Sequence, residues 1–427
     1  MRTRLPGLPA VRGHQRLLGA FGIDALGSGL FLPFSVLFFT ATTSLSLQQV
    51  GLALSVAALV RLPATAGAGV LTDRVGPRRA VIASNLAQAI GFTGYLFVGS
   101  STQVLLAAVV VQVGNSLFWV AYPALVHEVA DQASQERWFA LINAMRNAGL
   151  AVGALGASLA VALGGAAGYS VIVAVNAASF ALAAVLTRLD PSFSERPDRG
   201  GQSPEEPGGS WSAVLRDRPF LGFVGVNVGF ALLSLSFVLA VPVFLVTSAG
   251  LPDWTPGTLL ALNAVLGAVG AAPVVAAITG RRRDHVLVGS QVVIGLGYAC
   301  VLLAGLVPPG FNLALALLAA VLVTTTELVQ GPAVNAIINE SAPDRERGRY
   351  ISVYQMTFSV VDVIAPVALT TALTHGPFAT WVPLVVIAAL DALALVFLGR
   401  HLRVLTLRIG HAQVTDPTTR PIEADGL

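Results

Sequence analysis

Twelve long apolar runs constrain this chain more than any other feature of its sequence. About 20 apolar residues cross the hydrocarbon core of a bilayer as one helix. Only 11% of the 427 residues are charged, against about 25% in a typical soluble domain. The runs therefore predict an all-α membrane protein with helices 1 to 12 at 17–41, 49–71, 80–99, 103–126, 138–163, 169–187, 220–246, 257–279, 286–306, 312–334, 350–373 and 380–399.

The basic residues are distributed asymmetrically along the chain. All of them are arginines, and except for Arg61 and Arg146 they lie in the N-terminal segment, in every second loop or after helix 12. The positive-inside rule therefore predicts a multi-pass plasma membrane protein with both termini in the cytoplasm. The absence of lysine excludes a P-loop phosphate site, so we do not expect an ATPase. We expect no other enzyme either, because no acid/base pair lies at a predicted lipid–water boundary beside a nucleophile or metal.

A polar segment rich in proline and glycine interrupts the apolar pattern after helix 6. Such a composition cannot form a packed core and is typical of a flexible linker. The sequence therefore predicts an N-terminal six-helix bundle at 1–189, a cytoplasmic linker at 190–215, a C-terminal six-helix bundle at 216–402 and a cytoplasmic tail at 403–427.

The two predicted halves resemble each other. Pro123 recurs near Pro332, and the basic turn at Arg78-Arg79 has a counterpart in the basic run at 280–284. Repeated halves around a site at the bilayer midplane are typical of secondary transporters.

The short turn between helices 2 and 3 carries a specific motif. It combines glycine, aspartate and arginine at fixed spacing with a second glycine and paired arginines: Gly69, Asp73, Arg74, Gly76, Arg78 and Arg79. We expect Gly69 to allow close helix packing and the arginines to face anionic headgroups. The motif resembles the signature loop of the major facilitator superfamily, with Pro77 where that family usually has arginine. The resemblance implies two pseudo-symmetric six-helix bundles, for which this turn is a conformational latch.

Charged side chains inside the spans are the main candidates for function, because each costs about 2.5–3.5 kcal/mol at a helix centre. The candidates for proton coupling are Asp24, Arg61, Arg146, Glu327 and Asp362. Asp24 and Arg61 lie at similar depths, about 12–15 Å at 1.5 Å per residue, so a pair between helices 1 and 2 is feasible. In such a pair, the Asp24 carboxylate either responds to protons or substrate, or forms a permanent ion pair that locks the two helices together. We interpret Asp391, on helix 12, as a structural charge.

Helices 1 and 4 can be compared with one family of this superfamily, the drug–proton antiporters. The run from Asp24 to Pro33 is similar to helix 1 of drug–proton antiporters, several of which have an acidic residue there. The arginine of helix 4 in that family is absent from this chain. Arg61 and Arg146 are therefore possible substitutes for it.

Helix 5 resembles the antiporter signature of that family, although Ala154 stands where the family has proline. Its small residues at Gly149, Gly153 and Gly156 predict close packing on a neighbouring helix.

Polar and aromatic side chains form stripes on several spans. The substrate-binding candidates are Gln112, Asn115, Trp119 and Tyr122 on helix 4, Asn143 and Asn147 on helix 5, and Gln355 and Ser359 on helix 11. For any single stripe, helix packing is the slightly favoured interpretation. Helices 1, 4, 5, 10 and 11 line the central cavity in the superfamily that the chain resembles, so the stripes together indicate a substrate path.

These observations favour a secondary transporter that exports small amphipathic or lipophilic compounds by proton-coupled alternating access. One alternative is an importer or exchanger of a polar metabolite, in which Arg61 and Arg146 bind an anion. A non-transporting membrane sensor or scaffold is a third. We expect a monomer whose partners are a small-molecule substrate, protons and the lipid bilayer. The sequence predicts no cofactor, no metal site and no nucleic-acid partner.

Overall fold

The computed structural model describes residues 14–129, 135–190, 211–308, 310–341 and 347–409. Within these residues, twelve helices of membrane-spanning size follow one another, and we keep the numbers 1 to 12 for them. They are helix 1 (Gln15–Thr42), helix 2 (Leu47–Val75), helix 3 (Pro77–Tyr95), helix 4 (Ser101–Val129), helix 5 (Gln135–Gly164), helix 6 (Ala166–Leu189), helix 7 (Arg218–Thr247), helix 8 (Thr255–Ile278), helix 9 (Arg283–Ala304), helix 10 (Phe311–Ser341), helix 11 (Arg347–Thr374) and helix 12 (Pro377–Leu398).

Eleven of these helices are long and apolar enough to cross a membrane. Helix 3 is the remaining one; it has 19 residues and is more polar. Its polar side chains Ser84, Asn85 and Gln88 are buried, and Gln88 packs against Gly114 of helix 4. Helix 3 therefore turns its polar residues toward protein, which makes it compatible with a position inside the membrane. The all-α membrane fold predicted from the sequence is confirmed.

Each half of the chain has its own apolar core. In the first half, Phe31 and Phe92 pack edge to face with ring centroids 4.9 Å apart. In the second half, Tyr298 and Trp381 stack with centroids 5.8 Å apart. The core residues therefore group mainly within helices 1–6 and within helices 7–12.

The two halves contact each other mainly on one side of the molecule, opposite the side that carries a group of arginines. We call the face with the ends of helices 2, 6, 8 and 12 the basic face, because Arg78, Arg188 and Arg282 lie at or next to helix ends there. The contacts between the halves lie toward the opposite face. There Gln48 donates to Thr374 at 3.3 Å, and the Ser158 hydroxyl donates to the Trp254 carbonyl at 2.8 Å.

Several of the described helices contain a proline, which lacks the amide hydrogen of a regular helix, and two of them, helices 1 and 2, are interrupted next to it. Helix 1 tightens into a 3₁₀ turn at Leu32–Phe34, around Pro33. Helix 2 breaks at Val60, three residues before Pro63. Pro366 lies within helix 11. The break in helix 2 and Pro366 of helix 11 lie close to the charged residues of those helices.

The boundaries of the linker differ from the predicted range 190–215. Asp190 is buried and accepts a hydrogen bond from the backbone amide of Leu17 at 2.9 Å, so it belongs to the first half. Trp211–Arg216 is a short helix that leads into helix 7. The middle of the linker, 191–210, lies outside the described residues.

The start of the predicted tail, 403–427, is ordered and packs against the second half. Arg403–Thr406 forms a 3₁₀ turn, and Ile409 exchanges backbone hydrogen bonds of 2.8 and 3.0 Å with Gly280 and Arg281. Leu405 and Ile409 are buried against the second half. Their apolar side chains explain why this part of the polar tail docks; residues 410–427 lie outside the described residues.

Candidate functional site

Close packing of helices 1 and 5 creates the first charged site. A Cβ atom added at Gly149 or Gly153 would collide with backbone atoms of helix 1, at Gly22 and Leu26 respectively. Gly156 also faces helix 1, where an added Cβ atom would lie at an ordinary contact distance from the Leu30 side chain. The small residues of helix 5 therefore bring the two backbones together along about two turns.

This approach places Arg146 beside Asp24. Arg146 Nη1 donates to Asp24 Oδ2 at 3.0 Å, and the two side chains are 15% and 6% exposed. The carboxylate of Asp24 is thus paired with helix 5 and not with Arg61 of helix 2, the partner that its depth made feasible. Equal depth along two helices does not fix which way their side chains point.

Aromatic rings of helix 4 cover the guanidinium of this pair. The Arg146 guanidinium carbon lies 5.3 Å from the ring centroid of Phe118 and 5.2 Å from that of Trp119. Phe118 stacks on Tyr122 with centroids 5.7 Å apart. A cation at this distance from an aromatic face is attracted by the ring quadrupole. We call Asp24, Phe118, Trp119, Tyr122 and Arg146 the acidic–aromatic site.

The site is partly open. The Trp119 side chain is 49% exposed, whereas Asp24 and Tyr122 are buried. The Tyr122 hydroxyl makes no hydrogen bond within the part of the chain that the structure describes. The arrangement can therefore present an aromatic surface to a ligand and keep an ionisable carboxyl group behind it.

The remaining polar candidates of helices 4 and 5 do not converge on one contact. Gln112, Asn115 and Asn147 are partly exposed, and Asn143 is exposed. Phe118 belongs to the acidic–aromatic site, yet sequence reasoning missed it. Its place four residues before Tyr122 on the same helix face was the available signal.

A second ion pair joins the two halves. Arg61 of helix 2 pairs with Asp362 of helix 11, and both side chains are about one quarter exposed, at 24% and 25%. One to two turns nearer the opposite face, the Ser55 hydroxyl accepts a hydrogen bond from the Val367 amide at 3.0 Å. Gly51 lies still nearer that face, against Thr370 and Pro366. Helices 2 and 11 are therefore closed from the opposite face down to Arg61.

Beyond Arg61, helix 2 buries Ala68 in the first half and leaves Gly67 and Gly69 without neighbours. A Cβ atom added at Gly67 or Gly69 would meet no other atom within 4 Å. The expected close packing at Gly69 is thus wrong for this conformation, because the ion pair at Arg61 is followed by open space in front of these glycines. The Gln355 and Ser359 candidates lie on the same stretch of helix 11 as Asp362, exposed and partly exposed respectively.

The third intramembrane carboxylate lies within the second half. The Asn263 amide of helix 8 donates to Glu327 Oε2 at 3.0 Å and to Thr324 Oγ1 at 2.9 Å. Sequence reasoning did not select Asn263, since asparagine in a membrane helix commonly serves packing. Asp391 faces Gly229 at the contact between helices 7 and 12, apart from Glu327 and Asp362.

Comparison with known proteins shows to which protein family this chain belongs. A sequence profile described as Major Facilitator Superfamily matches residues 17–366 and 266–406. The chain belongs to this superfamily.

Relatives in the superfamily are distant. The uncharacterized MFS-type transporter YdeE of Escherichia coli (strain K12) is 22% identical over 387 residues, which cover 88% of this chain and 94% of that protein. The multidrug resistance protein MdtH of Cronobacter sakazakii is 26% identical over 232 residues, or 53% of this chain and 54% of that protein. The crystal structure of the nucleoside transporter NupG superposes with a TM-score of 0.71 at 14% identity, covering 91% of this chain and 99% of that one. This last likeness concerns the fold alone.

The signature turn of the superfamily has a defined geometry in this chain. Gly76 ends helix 2 with a φ of 84°, a left-handed conformation that glycine adopts without a steric penalty. Arg78 donates to the carbonyl oxygen of Arg188 at 2.6 Å and so ties helix 3 to the end of helix 6. Asp73, Arg74 and Arg79 are exposed at the basic face. The turn thus connects helices of the first half, and its acidic and basic groups remain accessible.

Proposed function

We propose that this superfamily member exports small amphipathic or lipophilic compounds in exchange for protons. The observation that carries the proposal is the acidic–aromatic site, in which one arginine contacts both the buried Asp24 carboxylate and the half-exposed Trp119 ring. An aromatic surface beside an ionisable group suits a ligand with an apolar body and a positive charge.

Proton coupling follows from the pairing of Asp24 with Arg146. A proton on the Asp24 carboxyl removes the negative charge that holds the guanidinium, and Arg146 then keeps only its contacts with the aromatic rings. Loss of that proton restores the pair. A cationic substrate that approaches Trp119 competes with Arg146 for the carboxylate, so substrate and proton favour opposite states of one group.

Alternating access follows from the contacts between the halves. The ion pair of Arg61 with Asp362 is the innermost of the contacts described between helices 2 and 11, and the side of helix 2 beyond it is open. Under the predicted orientation, with the basic face in the cytoplasm, this conformation is open inward. Closure of helix 2 on the basic side, where Gly67 and Gly69 now face open space, then belongs to the outward-open state.

The pairing of both intramembrane arginines supports export of cations over uptake of an anionic metabolite. Arg61 and Arg146 each contact a carboxylate. An anion would therefore have to displace Asp362 or Asp24 before it could bind either guanidinium. The name of the relative MdtH, a multidrug resistance protein, points in the same direction.

The test uses the purified protein in liposomes with an imposed proton gradient and a lipophilic fluorescent cation as the probe. We expect gradient-driven accumulation of the probe, abolished in Asp24→Asn while the variant still elutes as a monodisperse protein. Asp391→Asn, which changes another intramembrane carboxylate between helices 7 and 12, is the matched control and should retain transport. Transport by Asp24→Asn at the parental rate would refute the role of Asp24.

A further inference from the structure

A groove at the basic face of the second half lies outside the proposed transport path. It is formed by the end of helix 8, the first turns of helix 9 and the middle of helix 10, and its volume is about 550 Å³. Its rim contains Arg281, Arg282, His285 and Arg408. A volume of this size accommodates a ligand of several hundred daltons, far more than a bare inorganic ion.

The basic rim is assembled by the ordered start of the tail. The backbone of Arg408 pairs with that of Arg282 in an antiparallel bridge, flanked by the hydrogen bonds between Ile409 and the turn at Gly280 and Arg281. The pairing brings together arginines that are more than 120 positions apart in the sequence. Buried Arg283 contributes to the same docking, since it donates to the Val404 carbonyl of the tail at 3.3 Å while Glu340 of helix 10 holds it with two bonds of 2.7 Å.

The rim carries excess positive charge. Arg282 donates to both oxygens of Asp284, at 3.1 and 2.6 Å, and is thereby neutralised. Arg281 and Arg408 are exposed, and among the described groove residues there is no aspartate or glutamate to balance them. Two guanidinium groups beside a histidine are suited to a phosphate diester.

Below the rim the groove is lined by apolar side chains together with Ser290, Thr325 and Thr326, whose hydroxyls donate to helix carbonyls. Val286, Val293 and Val329 line its walls, and Gly289 leaves room because a Cβ atom there would meet nothing within 4 Å. Val292 and Leu296 follow Gly289 on the same helix face and are 53% and 55% exposed. A groove with a charged rim, followed by exposed apolar residues along a membrane-spanning helix, matches a headgroup with an acyl chain.

We propose that this groove binds an anionic phospholipid, with the headgroup phosphate between Arg281 and Arg408 and an acyl chain over Gly289. The site lies in one half only and requires no particular transport state. Its charge predicts a preference for phosphatidylglycerol over phosphatidylcholine of equal chain length, because both carry a phosphate diester and only the first has net negative charge.

Native mass spectrometry of the full-length protein, titrated with each lipid in detergent, tests this assignment. We expect one tightly retained phosphatidylglycerol and at least a tenfold weaker retention of phosphatidylcholine. Two variants attack the site differently: Arg281→Gln with Arg408→Gln removes the charge, and Gly289→Leu fills the apolar part. Each should weaken phosphatidylglycerol binding about tenfold.

Matched controls are Arg400→Gln, an exposed arginine after helix 12, and Gly225→Leu, an exposed glycine of helix 7 that also faces open space. Both should bind phosphatidylglycerol as the parent does. Equal retention of the two lipids, or unchanged binding in both groove variants, would overturn the proposal. Displacement of the lipid by millimolar inorganic phosphate would instead identify a site for a free anion and overturn it as well.

Discussion

Arg61 and Asp362 form an ion pair across the two halves of the molecule, close to a proline in each helix. Pro63 follows Arg61 by two residues, and Pro366 follows Asp362 by four. Each proline removes a backbone hydrogen bond of its helix, so both helices are weakened near the charged side chain. An ion pair between two such points is well placed to hold helices that must later separate.

The pair should therefore contribute measurably to the described conformation. Because both side chains are about a quarter exposed, solvent screens the interaction, and removal of one partner by Arg61→Gln or Asp362→Asn should cost about 1–3 kcal/mol. The double variant should be more stable than the sum of the single effects implies. Melting temperatures of the four proteins in detergent measure this coupling, and strict additivity would contradict it.

A covalent bond across the opposite face should stop transport. Gln48 and Thr374 are in hydrogen-bonding contact between helices 2 and 11, so cysteines at both positions should cross-link after oxidation. We expect loss of transport on oxidation and recovery with a reductant, because the halves can no longer separate there. The background variant Cys300→Ala removes the single native cysteine and should be insensitive to both reagents. Transport by the fully cross-linked protein would contradict alternating access at this face.

The contact of helix 5 with helix 1 should tolerate no side chain at Gly153. A methyl group there would press on the backbone of Leu26, whereas one at Gly156 would lie 3.5 Å from the flexible side chain of Leu30. Overpacking of this kind costs about 1–3 kcal/mol. Gly153→Ala should lower the melting temperature, and Gly156→Ala, the matched control, should leave it nearly unchanged. Equal effects of the two substitutions would show that the packing is less tight at Gly153 than described.

The ring of Trp119 should set the affinity for cationic substrates. Its loss in Trp119→Ala removes an interaction worth about 0.5–2 kcal/mol, which corresponds to a rise in the transport KM of roughly 2- to 30-fold with a smaller effect on the maximal rate. Trp119→Phe keeps an aromatic face and should recover most of the affinity. Concentration series of the fluorescent cation in liposomes provide the comparison, and an unchanged KM in Trp119→Ala would exclude the ring from the binding site.

Much of this architecture can be predicted from the order of residues alone. Apolar runs determine where helices form, because each buried backbone polar group in a bilayer must be bonded within its own segment. Twelve predicted spans match the helices of the structure to within several residues at most ends. The motif between helices 2 and 3 indicated the superfamily before any tertiary contact was known. Glycines at 149 and 153 marked helix 5 as a closely packed element, without naming its neighbour.

Only the tertiary structure decided which groups meet. Periodicity gives the depth of Asp24, Arg61 and Asp362 along their helices, since each residue rises 1.5 Å. It leaves open the rotation of each helix and its neighbours in the bundle. The packing of helix 5 on helix 1 pairs Asp24 with Arg146, and the contact between the halves pairs Asp362 with Arg61. Asn263 and the docked residue Arg408 acquire their partners from segments more than 60 positions away, a distance over which local sequence carries no geometric information.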